Sequence, residues 1–507
     1  MALERKLFCG VALTALCFAQ GAMADVTPRQ VWNDLEAYLT DFGYAVTGTE
    51  VANGNDLTIQ DMTFSMALPE GGGDVAMSAS ELRLIDRGDG SVLVRFPDVM
   101  PLDIRIDDGE EVDLGLDYSQ TNMSVIVSGE PNNLVYTYTA DSLEITLAEL
   151  AIDGEVVPMD VASFSLQMNS VDGSSRISGQ EGRDITQVMD IGSLTYDVAF
   201  SDPDGGDEAG AFRGALSGVK FAGDLFLPDN LDPEDPVAMM SSGFVMDGKF
   251  SHSGGKTQFE ITEFSGTTNG ASSTNGGFIG VSMGPDGVTY DLGGTGVSFN
   301  LSGPEIPLPV SAAMEEASFN VTMPLMAADV EQDFGLGIKL AGFTTADMLW
   351  GLFDPGQILP RDPATVALDI TGKAKLFFDL IDDKAMMEIA MSDALPGELI
   401  SLALNGLTVS AVGAELTGNG AFTFDNTDLE TFNGIPRPIG QVNLNVAGAN
   451  TLIDNLIRMG LLAEEDAMGA RFVLSMFTVP GQGADENVST IEFNEQGHIL
   501  ANGQRLQ

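Results

Sequence analysis

The sequence predicts a mainly β protein: a large antiparallel meander forming a curved sheet, groove or sandwich, with an N-terminal helix and a C-terminal helix pair. Three observations predict it. Apolar and polar residues alternate through one segment after another, as in Met62, Phe64, Met66 and Leu68 against Thr63, Ser65 and Ala67. Asp-Gly pairs and glycine runs punctuate these segments. Apolar residues at helical spacing are confined to a few short stretches. Successive side chains of a strand point to opposite faces, so alternation means one apolar face and one wet face.

Taken in order, the chain opens with Arg5 and Lys6, an apolar run from Leu7 to Phe18, and Ala22-Met23-Ala24. This pattern reads as a cleavable secretory signal over residues 1–24, too short to persist as a membrane anchor. A helix follows. Thr27 caps it, Pro28 suits its first turn, Val31, Trp32, Leu35, Tyr38, Leu39 and Phe42 share a face, and Gly43 ends it.

Period two then takes over, in Leu143-Ile145-Leu147, Leu194-Tyr196-Val198-Phe200, Val297-Phe299-Leu301, Phe319-Val321-Met323, Val366-Leu368-Ile370 and Val442-Leu444-Val446. Gly71-Gly72-Gly73, Asp89-Gly90, Asp108-Gly109, Asp153-Gly154, Asp172-Gly173, Asp247-Gly248 and Asp286-Gly287 read as the hairpin turns between strands.

Three further helices are expected at 345–353, 451–459 and 464–478. Glu464, Glu465 and Asp466 suit the first turn of the last one, and a closing hairpin follows it. Acidic or Gly-rich tracts at 201–208 and 265–277 suggest β-rich regions of 25–205, 206–340 and 341–507, the last carrying these three helices.

Composition narrows the function. The chain has 22 basic and 75 acidic residues, a net charge of −53. Nucleic acid is excluded as a partner, since phosphate binding requires Lys and Arg. Anionic membrane surfaces would repel the chain as well. Both cysteines, Cys9 and Cys17, lie in the signal segment, leaving the mature chain no disulfide and no thiolate. Aromatic girdles of an outer-membrane barrel cannot be built from 2 Trp and 7 Tyr.

Candidate chemistry is sparse. The two histidines, His252 and His498, are too few for a zinc site built on imidazole, and no glycine-flanked serine resembles a nucleophile elbow. No phosphate-binding glycine loop occurs. The clusters Asp86 to Gly90 and Asp202 to Asp207 have the carboxylates calcium wants but not the helix-loop-helix spacing, and read as solvated loops. No catalytic residue, metal site or cofactor is expected, and the chain reads as a non-enzyme. The 24 Met and 28 Phe are unusual beside so little Trp and Tyr, and suit either a soft core or a groove for acyl chains. Trp350, Phe353, Asp354, Pro355, Arg361 and Asp362 stand close together as a candidate interaction surface.

Several stretches resemble an exported alphaproteobacterial family known as domain of unknown function 2125: Val31-Trp32-Asn33-Asp34 through Gly43-Tyr44, Trp350 to Pro355 with Leu359 to Thr365, and Gly497 to Leu506. The C-terminal order of strand, two amphipathic helices and closing hairpin with Asn502-Gly503 is similar to AsmA-like envelope proteins. The first resemblance implies an envelope location and says nothing of activity. The second implies a β-groove with an apolar interior, a fold-level likeness that does not fix function. The expectation is a periplasmic protein that binds lipid or another hydrophobic ligand. Its alternative is a structural or protein-interaction module of the envelope with a filled core.

Overall fold

A computed structural model describes residues 26–506, apart from 42, 69–72, 108–110, 180–181, 204, 230–234 and 392–394. The signal segment, Phe42, Gly71-Gly72 and Asp108-Gly109 lie outside the described residues. The described residues divide into two compact units, 26–272 with 303–305 and 273–302 with 306–506.

The first unit opens with α1 (Pro28–Asp41). Thr27 Oγ1 accepts from the Gln30 N–H at 3.3 Å, and Gln30 Oε1 accepts from the Thr27 N–H at 2.9 Å, a reciprocal cap. Gly43, at φ +88°, lies just beyond the helix end. The strands are β1 (Ala45–Asn53), β2 (Asp56–Ala67), β3 (Gly73–Asp86), β4 (Val92–Arg95), β5 (Val99–Asp107), β6 (Glu111–Thr121), β7 (Ser124–Glu130) and β8 (Asn133–Ile152). They continue as β9 (Glu155–Val156), β10 (Ala162–Ser178), β11 (Arg183–Ser201) and β12 (Ala209–Leu227). After a short helix α2 (Pro236–Ser241), capped by Asp235, come β13 (Val245–His252), β14 (Gly254–Glu263) and β15 (Gly266–Thr274).

All pairings in this ladder are antiparallel. β1, β2 and β3 are consecutive; β3 then pairs with β4 along one half and β5 along the other. β4 leads through β7 to β8, and β5 leads through β6 to β8. From β8 the ladder runs through β10 and β11 to β12, which pairs with β13 and β14.

Helix α1 explains the curvature. It packs on β1, β2 and β3, yet Asp34 also reaches Tyr136 on β8 and Arg183 on β11. A flat sheet would separate β3 from β11 by about 24 Å, at roughly 4.8 Å per strand. A helix with its side chains is only about 10–12 Å across. The sheet therefore curls around the helix. Val31, Trp32, Leu35, Tyr38 and Leu39 fill the inside together with Ile59, Met62, Leu82 and Leu84.

The second unit is a plainer meander. Its strands are β16 (Gly276–Gly284), β17 (Gly287–Ser302), β18 (Val310–Met323), β19 (Gln332–Thr345), β20 (Ala364–Leu376), β21 (Gly397–Ala411), β22 (Ala414–Asp425) and β23 (Arg437–Ala447), each paired with the next. Helix α3 (Asp347–Phe353) joins β19 to β20, and α4 (Asp383–Met391) joins β20 to β21. After β23 come α5 (Ala449–Arg458), α6 (Glu464–Phe477) and β24 (Val479–Pro480), then β25 (Glu486–Phe493), β26 (Ile499–Ala501) and β27 (Gln504–Arg505). β25 returns to pair with β23, and β26 and β27 follow on it.

The expected meander, N-terminal helix and C-terminal helix pair are present. Two of the expected turns are not. Asp172-Gly173 lies inside β10 and Asp247-Gly248 inside β13. Gly173 is there for space: a Cβ on it would fall 2.6 Å from the Tyr138 ring. Asp153-Gly154 does turn, with φ of +50° and +76°, as a tight hairpin demands. Helix α3 starts at Asp347 rather than 345, because Thr345 still belongs to β19 and its hydroxyl donates to the Ser311 carbonyl. Helix α5 starts at Ala449 rather than 451. Its cap comes from Asp485, far along the chain, which accepts from the Asn450 and Thr451 N–H groups at 3.0 and 2.7 Å.

Candidate functional site

The two faces of the second unit differ sharply. Cross-strand register places Ile279, Leu292, Phe319, Ile338, Leu368, Leu407, Gly418 and Leu444 in one row across β16 to β23. The flanking rows on that face, through Tyr290, Val321, Leu336 and Ile370 and through Leu340, Val366, Val409 and Leu416, are also free of charge. Eight strands at their usual spacing extend about 34 Å. The opposite face holds the ion pairs Lys339–Glu316 at 2.6 Å and Lys373–Asp333 at 3.0 Å.

Irregularities keep the apolar residues on one side. Alternation slips between Leu340 and Phe343, where Gly342 has φ +68°, and again between Leu404 and Leu407. A one-residue slip without correction would turn every later side chain to the other face.

Helix α5 touches one end of this sheet, at β22. None of the residues in those three rows is buried; Ile279 is 50% exposed, Val366 44% and Leu340 41%. Among the described residues the second unit buries only Val288, Pro324, Leu325, Leu359, Leu376, Ala467 and Ala501 of its aliphatic and aromatic side chains. The large buried cluster of the chain belongs instead to residues 26–219 of the first unit. A contiguous apolar surface of this extent is unfavourable in water and is a candidate binding surface.

The floor of the face is kept low by glycines. Phe334 lies across Gly372, where a Cβ would fall 2.3 Å from the ring. In the first unit Tyr196 lies across Gly214 and Phe200 across Gly210 in the same way, next to a row of Phe164, Val198, Phe212 and Phe259. Rings laid flat on glycine leave the volume above the sheet open.

The Trp350 segment is a folded loop. Trp350 and Phe353 on α3 have ring centroids 5.0 Å apart, and the Arg361 guanidinium lies 5.5 Å from the Trp350 ring while pairing with Asp347. Asp354 is buried, and its two oxygens accept from the Ile358 and Leu359 N–H groups. Phe353, Pro355 and Asp362 are exposed, as are Met348 and Leu352.

Other polar residues serve the loops. Asp86 and Asp89 cap their own turn, bonding Gly88 and Ser91. His252 ends β13 and His498 lies in the closing hairpin. Among the described residues no group of three or more His, Cys, Asp or Glu is placed to hold a metal ion. No helix among them is long and apolar enough to cross a membrane.

One carboxylate is strongly perturbed. Hydrogen bonds from Thr427 Oγ1, from the Arg437 guanidinium and from the Thr427 N–H hold Asp425 at about 2. A lowered carboxylate pKa contributes stability that is complete above the unfolded value and lost as pH falls through the folded one. Asp425→Asn should therefore lower the thermal midpoint at neutral pH, and the gap from the native chain should close between about pH 4 and about pH 2. A gap constant across that window, measured by thermal denaturation, would remove the carboxylate from the stability of this turn.

Comparison with known protein families, with curated proteins and with solved structures finds nothing that matches the chain.

Proposed function

We propose that the uncharged face of the second unit binds a long apolar ligand, an acyl lipid, in a periplasmic protein exported by its N-terminal signal. The observation that carries this reading is the three-row apolar face, eight strands wide, none of whose row residues is buried. Acyl chains need apolar area and no directional partner, which Leu, Ile, Val, Phe and Met supply. The absence of Lys or Arg from the rows leaves the headgroup to solvent.

The test is lipid extraction and mass spectrometry on mature chain purified from a periplasm without detergent. Stoichiometric acyl lipid is the expected result. Clean protein that takes up no lipid from vesicles would sink the reading.

The competing reading, an envelope interaction module, draws on the exposed Leu352 and Phe353 of α3, at 68% and 49%. Its filled-core form suits residues 26–219 better than the second unit. Capture of an envelope protein that is lost on Leu352→Ser with Phe353→Ser would favour it over the lipid reading.

A further inference from the structure

Helix α6 presents an apolar surface that no described residue covers. Of its 14 residues only Ala467 is buried. Ala467, Arg471, Leu474 and the following Thr478 form one stripe, and Arg471 pairs across it with Asp454 of α5 at 2.7 Å. The outer arc is Met468, Phe472, Val473, Met476 and Phe477, with Met468 64% and Phe472 65% exposed. Past the acidic first turn, the one charged side chain of the helix is Arg471, the partner of Asp454.

We infer that this arc docks on a lipid bilayer with zwitterionic headgroups and brings the apolar sheet face to it; the second half of the inference rests on the lipid reading above. Continuity is visible in the hydrogen bonds. The Phe477 carbonyl accepts from Ser489 Oγ, and Ser489 stands opposite Leu444 at the edge of the apolar rows. An amphipathic helix with Phe and Met outward and no charge on that arc seats at the boundary of headgroups and acyl chains.

Two other occupants fit worse. A stable protein interface takes roughly 20–30 residues a side, far more than five side chains of one helix. A second copy would also bring two chains of net charge −53 together. The same charge, and the lack of a Lys/Arg face on α6, disfavour anionic lipid.

The experiment is flotation of the full mature chain with phosphatidylcholine vesicles, beside the double variant Phe472→Glu with Met476→Glu. The native chain should float, and the variant should partition about tenfold less or worse. Both replaced side chains are outward and largely exposed, so an unchanged thermal midpoint checks that the variant is folded. A native chain that stays at the bottom of the gradient overturns the inference, and so does a variant that floats equally well. Light scattering that finds a dimer broken by the variant, with no flotation, overturns it in favour of a second copy. Lipid extraction separates this from the sheet reading. Bound lipid without flotation overturns the docking alone, whereas flotation by a lipid-free chain upholds docking and removes the cargo.

Discussion

Asp34→Ala should destabilise the first unit by about 3–5 kcal/mol. Asp34 sits on α1 with its side chain 21% exposed, facing Arg183 at 17%. One oxygen accepts from Arg183 Nη1 at 3.1 Å and the other from Tyr136 Oη at 2.9 Å. Arg183 also lies 5.9 Å from the Tyr38 ring. Burial, with Asp34 beside it, pushes the Tyr136 hydroxyl well above its ordinary value, so it stays a neutral donor.

Removing the carboxylate withdraws the anion facing a largely buried guanidinium and the acceptor of a buried hydroxyl at once. Asp34→Asn keeps an acceptor for Tyr136 and should cost less. Trp32, buried on the same helix, reports the transition by fluorescence in urea, in a chain where Trp350→Phe silences the other tryptophan. A loss below about 1 kcal/mol would mean that apolar packing alone seats α1.

If the proposed lipid reading holds, Ile338→Lys combined with Leu368→Asp should remove most of the lipid and leave the chain folded. The two residues are direct cross-strand partners at the centre of the apolar row. Opposite charges facing each other across strands support the pairing, so the sheet loses little. Neither side chain is buried, so no cavity forms. What changes is the surface offered to an acyl chain, since two charges now stand where none stood. Lipid content by extraction and the thermal midpoint should be read together. Unchanged lipid in a folded variant would move the binding site away from this face. The contrast is Leu82→Ala, fully buried in the first unit, which should cost about 2–5 kcal/mol.

Much of this architecture was legible in short windows of sequence. The Thr27–Gln30 cap, the apolar stripe of α1 and the Gly43 stop are all local, and the helix runs Pro28–Asp41. Val366-Leu368-Ile370 and Val442-Leu444-Val446 were readable as strands because period two needs only a few residues to declare itself. Asp172-Gly173 misled, since the same dipeptide serves a tight turn or makes room for a ring, and the ring of Tyr138 is 35 positions away. Helix α4 went unseen, as did the Asp485 cap of α5. Of the candidate surface at Trp350, clustering in sequence could not tell that Asp354 is buried while Phe353 is exposed.

By itself the sequence determined that the chain alternates, turns and carries a helix at its start and two near its end, because these depend on backbone preference and neighbouring side chains. The tertiary structure decided which faces agree. Bulges at Gly342 and between Leu404 and Leu407 bring out-of-phase strands onto one side, and register makes their side chains a single surface. It also decided that α1 fills the first unit while the residues of the second unit's apolar rows stay unburied. Burial is a relation between segments distant in the chain, and no local pattern of residues records whether a partner arrives.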